Sequence, residues 1–264
     1  MTDTDRSSLP SSPSLPSERK TPARVMSIHA HPDDQEFSTA GTLAKWARAG
    51  SEVISVTITS GDAGSNDPTK DETYKPELAA LRENEQLAAN AIIGVKESVF
   101  MRYPDGILQP TLELRRDLTR LIRKFKPDVV VSGDPTARFF GKGYINHPDH
   151  RVAADVVCDA VFPSSGTRLI FTELLKEGYL PHNVKYLYLH GSDKPDTWID
   201  IAETIVTKVN ALKSHKSQLG DWDPDKAMRD WATNDAKDHG MEYAEAYRVM
   251  VLVDEEEGEN KPAD

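Results

Sequence analysis

The sequence predicts an α/β fold: a mostly parallel, Rossmann-like sheet flanked by helices on both faces. Three observations predict it. Short β-rich runs alternate with amphipathic helical stretches. The length of 264 residues suits one substantial core. The chemically unusual residues cluster in the segments that follow the apolar runs, as expected where ligands bind beyond the carboxyl ends of parallel strands.

Taken in order, RVMSIHA at 24–30 is a β-branched run read as the first strand, and STAGTLAKWARA at 38–49 has the apolar period of a helix. EVISVTIT at 52–59 is the second strand, followed by a long helix over PELAALRENEQLAANAII at 76–93. ESVFMR at 97–102 and the helix TLELRRDLTRLIRKF at 111–125 form the next pair. DVVVSG at 128–133 leads to a helix over HPDHRVAADVVCDAVF at 147–162, where Pro148 suits a first helical position. VKYLYLH at 184–190 is the last strand identified, and a final helix covers 200–218. No internal repeat is seen.

Residues 1–22 are rich in Ser and Pro and lack the apolar centre of a secretory signal, so a disordered extension and a cytoplasmic location are expected. Residues 254–264 read as an acidic, solvated tail, leaving 23–253 as one domain. A net charge of -11 argues against non-specific binding to nucleic acid or anionic membranes. No apolar run approaches the length of a bilayer span, and a small-molecule substrate is the expected partner. A homo-oligomer stays open. The lone cysteine, Cys158, has no internal disulfide partner and reads as a core residue on a helix.

Two motifs carry chemistry. In AHPDDQE, His31 and Asp34 stand three apart in a turn broken by Pro32, with Asp33 between them. In NHPDHRVAAD, His147 and His150 stand three apart at a helix start. His31, Asp34 and His150 supply the three protein ligands, with an open position, that catalytic zinc requires, and one cysteine excludes a thiolate-rich structural site. Asp33, diverging from its neighbour, is free to act as general base. His147 is placed to stabilise an oxyanion or protonate a leaving nitrogen, with Asp149 fixing its ring. The bland alternatives are a turn aspartate and a helix-cap histidine.

Two further readings stay open: a non-catalytic metal-binding or ligand-sensing protein, and a non-haem iron oxygenase, whose two-His-one-carboxylate triad has the same composition. Dinucleotide binding is set aside because no G-x-G-x-x-G follows the first strand. The SGDAGSND segment reads as a pocket wall.

AHPDD, LREN-EQLAANAIIG, YPDGIL and HPDHR occur in that order, and the sequence over 24–252 resembles the LmbE-like, PIG-L zinc-dependent de-N-acetylase superfamily. The resemblance implies removal of an N-acyl group, with acetyl the expected case, from an N-acetylglucosamine-like sugar or conjugate. It implies zinc on His31, Asp34 and His150, Asp33 as base, and His147 at the tetrahedral intermediate. It also implies that Arg82 and Asp105 face substrate hydroxyls. The competing readings of those two are a helix-surface Arg82–Glu85 pair and a turn aspartate. Some relatives have a tyrosine where this chain has Ile145, with Tyr144 one position earlier, so no tyrosine role is assigned. Gln35 and Glu36 likewise receive no catalytic role. His215 and Gln218 read as helix surface.

Overall fold

In the computed structural model, which describes residues 21–253, β1 (Arg24–His29) runs into the short α1 (Asp34–Ser38) and then α2 (Ala40–Arg48). β2 (Glu52–Thr59), α3 (Lys75–Ile93), β3 (Glu97–Tyr103), α4 (Leu112–Phe125) and β4 (Val129–Gly133) follow in strict alternation. A small hairpin, β5 (Phe139–Phe140) and β6 (Tyr144–Ile145), precedes α5 (Pro148–Asp159) and α6 (Glu173–Lys176). The chain closes with β7 (Tyr186–His190), β8 (Thr197–Asp200), α7 (Ile205–Leu212), α8 (Lys216–Leu219), α9 (Asp225–Ala236) and β9 (Ala244–Val251).

The main sheet has the order β3-β2-β1-β4-β7-β9-β8. Its first five strands pair in parallel, and β9 runs antiparallel between β7 and β8. The parallel α/β expectation therefore holds, with an antiparallel margin that the sequence reading did not include. β8 and α9 were also missed: TWID is only four residues long, and DKAMRDWATNDA mixes charges with few apolar positions. The expectation of one helix across 200–218 is corrected to α7 and α8, separated by a turn at Lys213–His215.

Side chains of β1 alternate between two cores. Met26, Ile28 and Ala30 pack with Leu114, Leu118 and Ile122 of α4 and with Val156 and Val157 of α5. Val25 instead joins Leu43, Ala44 and Trp46 of α2, Ala89 and Ile93 of α3, and Tyr188 and Tyr247. Helices thus cover both faces, which requires apolar side chains on both sides of the central strands. Cys158 packs, partly buried, against the first of these cores.

Strand order reverses between β1 and β4, so the connections leaving their carboxyl ends diverge and open a crevice. Among the described residues, no helix is long and apolar enough to cross a membrane. The Ser/Pro-rich 1–20 and the acidic 254–264 lie outside the described residues.

Candidate active site

The crevice is where both motifs meet. β1 delivers His31 just past its end, and Asp33 adopts a left-handed backbone, φ 97°, before Asp34 starts α1. A positive φ is unfavourable for any residue with a Cβ, although Asp tolerates it better than most. On the other side, Pro148 opens α5, His147 is its N-cap, and His150 lies in its first turn.

Three potential ligand groups converge. His31 Nδ1 lies 3.1 Å from His150 Nε2 and 3.4 Å from Asp34 Oδ2, and His150 Nε2 lies 2.9 Å from Asp34 Oδ1. Tetrahedral ligands bound at about 2.0–2.1 Å stand about 3.3 Å apart, so these atoms fit around one divalent ion. His31, His147 and His150 form another set with ligand atoms within 4.8 Å of one another, as do His31, Asp105 and Asp149. The donor set is thus nitrogen and oxygen only, as zinc and neighbouring transition metals accept.

The other ring nitrogen of His31 faces two carboxylates, Asp105 Oδ1 at 3.0 Å and Asp149 Oδ2 at 3.4 Å. Both are anchored by backbone amides: Ala63 N donates to Asp105 at 2.7 Å, while Gly106 N and Leu108 N donate to Asp149 at 2.7 and 3.1 Å. This is the arrangement in which a carboxylate orients a metal-ligating imidazole and raises its basicity. Burial opposes charge on His31, but the Asp34 field and the hydrogen bonds that the ring donates to Asp105, Asp149 and Asp34 outweigh it, pushing the imidazole up to about 12. Burial likewise opposes ionisation of Asp34, yet His150 and His31 hold its carboxyl well below the usual range. A pocket that favours positive charge this strongly suits a cation, which would compete with the proton for Nδ1.

Two sequence expectations change here. The Asp149 carboxylate does not hold the ring of His147. It turns toward His31, and only the Asp149 backbone amide reaches His147, donating to Nδ1 at 3.3 Å. Asp105 lines the cavity but spends Oδ1 on His31 and Oδ2 on an amide.

Arg82 is buried, and it makes no surface pair with Glu85. Its guanidinium donates to Gly61 O at 2.9 Å, Pro32 O at 2.7 Å and Asp33 Oδ2 at 3.0 Å, which ties together the loops after β1 and β2. Glu85 accepts instead from Ser217 N and Oγ. Burial lifts the Asp33 carboxyl to about 6 against the opposing charge of Arg82. His147 is shifted down by burial and by the nearby charges of His31 and His150.

Sequence reasoning missed the layer behind this site. Gln86 Oε1 accepts the Asp33 backbone N–H at 3.0 Å, and Gln86 Nε2 donates to Glu36 Oε1 at 2.9 Å. His215, expected on a helix surface, is fully buried with Nε2 3.2 Å from Glu36 Oε2. Gln218 is partly exposed, as expected of a surface position. The i, i+4 spacing of Arg82 and Gln86 was the available signal.

His31, Asp33, Asp34, His147 and His150, together with Arg82 and Asp105, border one cavity of about 1010 Å³. Its rim includes Phe140 and Tyr144 of the hairpin, and its far side is formed by α7, α9 and β9. Tyr144 therefore reaches the cavity, although its side chain is half exposed.

The model of the PIG-L family, GlcNAc-PI de-N-acetylase, matches residues 26–161. A diacetylchitobiose deacetylase of Thermococcus kodakarensis is 30% identical over 232 residues, spanning 86% of this chain and 83% of that protein. A 1D-myo-inositol 2-acetamido-2-deoxy-alpha-D-glucopyranoside deacetylase of Actinosynnema mirum is 29% identical over 239 residues, 76% of this chain and 82% of its own. Among solved structures, N,N'-diacetylchitobiose deacetylase from Pyrococcus horikoshii, complexed with its inhibitor MPG, superimposes with a TM-score of 0.79 at 31% identity, covering 87% of this chain and 84% of that one. The chain belongs to the PIG-L, LmbE-like de-N-acetylase family, and its class is that of the amide-cleaving N-deacetylases.

Proposed function

We propose that this protein removes the N-acetyl group from an N-acetylglucosamine-like sugar or conjugate, with His31, Asp34 and His150 holding a divalent ion, zinc by preference. The observation that carries the reading is the convergence of those three groups within 3.4 Å of one another, next to Asp33, whose carboxylate accepts from Arg82. The relatives named for deacetylating diacetylchitobiose and a 2-acetamido-2-deoxy-glucopyranoside support the substrate class.

When bound, the ion supplies Lewis-acid polarisation of the acyl carbonyl and lowers the pKa of water. Asp33, with a carboxyl near 6, is ionised at neutral pH and accepts the proton that water releases as its oxygen attacks the carbonyl carbon. His147 accepts the Asp149 amide at Nδ1, which leaves the proton of the neutral ring on Nε2 as a donor to the developing oxyanion. The protonated Asp33 then passes its proton to the nitrogen as the C–N bond breaks, releasing acetate and a free amine. Asp149 and Asp105 hold His31 in the tautomer and orientation a ligand needs. Arg82 fixes the base loop while lining the substrate cavity.

The test is metal analysis of the purified protein combined with amine release from N-acetylated amino sugars, before and after chelation. Near-stoichiometric zinc with chelator-sensitive release is expected. A protein that binds no divalent ion, or keeps full activity once stripped, overturns the proposal. Asp33→Ala is expected to retain the ion and lose turnover; near-normal turnover removes Asp33 from the mechanism.

A further inference from the structure

The two proposed histidine ligands are turned by different kinds of partner. His31 faces the carboxylates of Asp105 and Asp149, whereas His150 faces a neutral amide: its Nδ1 lies 3.1 Å from Asn146 Oδ1. Asn146 is buried, and the nitrogen of the same amide, Nδ2, donates to Ala137 O at 2.8 Å. A backbone carbonyl can only accept, so the amide nitrogen must face Ala137 and the amide oxygen must face His150. That oxygen takes its proton from Nδ1. The neutral ring therefore keeps its lone pair on Nε2, the atom 2.9 Å from Asp34 Oδ1 and 3.1 Å from His31 Nδ1.

The same residue closes the base of the hairpin at the cavity rim. Asn146 N donates to Arg138 O at 2.8 Å, next to the pairs Phe139 with Ile145 and Phe140 with Tyr144. With two residues in each strand, β5 and β6 are too short to hold themselves in place. The segment before them is fixed: Asp134 N donates to His190 O at 2.9 Å, and the Asp134 carboxylate accepts from Thr136 N and Oγ1 at 2.8 and 2.6 Å. Asn146 thus ties the returning strand to that anchored segment. Phe140 and Tyr144, with ring centres 6.0 Å apart, then border the cavity.

We infer that Asn146 is a positioning residue that sets the His150 ring for a divalent ion and locks the cavity rim with the same side chain, so that ion binding and hairpin order support each other. The inference rests on the reading of His150 as a metal ligand. An ion held by His150 favours the ring orientation that donates to Asn146, and a ring so held favours the ion by the same factor. The amide orients the ring without adding charge to a site that already gathers Asp33, Asp34, Asp105 and Asp149.

The experiment uses the full chain and two readouts that need no turnover. Zinc affinity is measured by competition with a chromogenic chelator, and hydrogen exchange of the amides of 139–146 is followed by mass spectrometry with and without zinc. In wild type, zinc should slow exchange across the hairpin about tenfold, the scale of a typical coupling between sites. Asn146→Leu removes acceptor and donor together: affinity should fall about 10- to 100-fold, and the effect of zinc on exchange should vanish. Asn146→Asp keeps an acceptor for Nδ1 but loses the donor to Ala137 O. It should bind zinc at least as tightly as wild type, while its hairpin exchanges fast with or without the ion. Equal losses of affinity in the two variants, or affinity unchanged in both, overturn the role of Asn146. A wild-type hairpin whose exchange ignores bound zinc overturns the coupling even if neither variant folds. A wild type that binds zinc and protects its hairpin through Asn146, yet releases no amine from N-acetylated sugars, overturns the deacetylase reading and leaves this inference standing.

Discussion

Gln86 accepts the backbone N–H of Asp33 at 3.0 Å, and Asp33 holds φ 97°. The residue proposed as base is therefore kept in an unfavourable backbone conformation by a helix that carries no metal ligand. Gln86→Met removes the acceptor while preserving length. A buried amide left unpaired costs about 1–3 kcal/mol. The expected outcome is a kcat about tenfold lower, with KM and bound metal little changed. A change confined to KM would show that Gln86 does not position the base.

Arg82 separates two roles by kinetics. Its hydrogen bonds to Pro32 O, Gly61 O and Asp33 predict that Arg82→Lys, which cannot reproduce the fork, lowers kcat more than it raises KM. Steady-state rates on one N-acetylated sugar check this. A rise in KM with kcat intact would return Arg82 to recognition of substrate hydroxyls.

Asp149 is fully buried and accepts from two backbone amides while facing His31. Asp149→Asn should weaken metal binding about 10- to 100-fold, the usual effect of losing a carboxylate behind a ligating imidazole. Competition with a chromogenic chelator measures it. Unchanged affinity would place His31 outside the ligand set.

A pH dependence of stability follows from His190. Burial and the neighbouring His29 hold its imidazole well below 6.5 in the folded chain. Unfolded histidine takes up its proton near 6.5, so the unfolded state binds more protons below that pH. The contribution is complete above about 6.5 and declines as pH falls toward the folded value. Urea midpoints between pH 7 and 5 should drop less steeply in His190→Asn than in wild type. Parallel curves would mean that His190 is not buried as a neutral ring.

The proposed ligands His31, Asp34 and His150, and His147 beside them, were legible because they sit in short motifs directly after a strand or at a helix start, where local spacing decides their neighbours. Partners set by folding were not. Asp149 reads locally as the companion of His147, but the amides of Gly106 and Leu108, some forty residues away, turn it to His31. Gln86 and His215 look like ordinary polar helix residues until α3 and the α7–α8 turn close over Glu36. Trp231 lies in a segment too charged to show an apolar period, so the helix that shapes the cavity was invisible.

Glu245 on β9 accepts from the Gly41 and Thr42 amides at 2.9 and 2.8 Å, from Lys208, and from the Tyr247 hydroxyl at 3.0 Å. One carboxylate near the end of the chain thus caps the helix that follows the Asp34 segment near its beginning. During synthesis, α2 emerges with two bare donors and waits about two hundred residues for their acceptor. The nascent chain therefore cannot finish the crevice until β9 has left the ribosome.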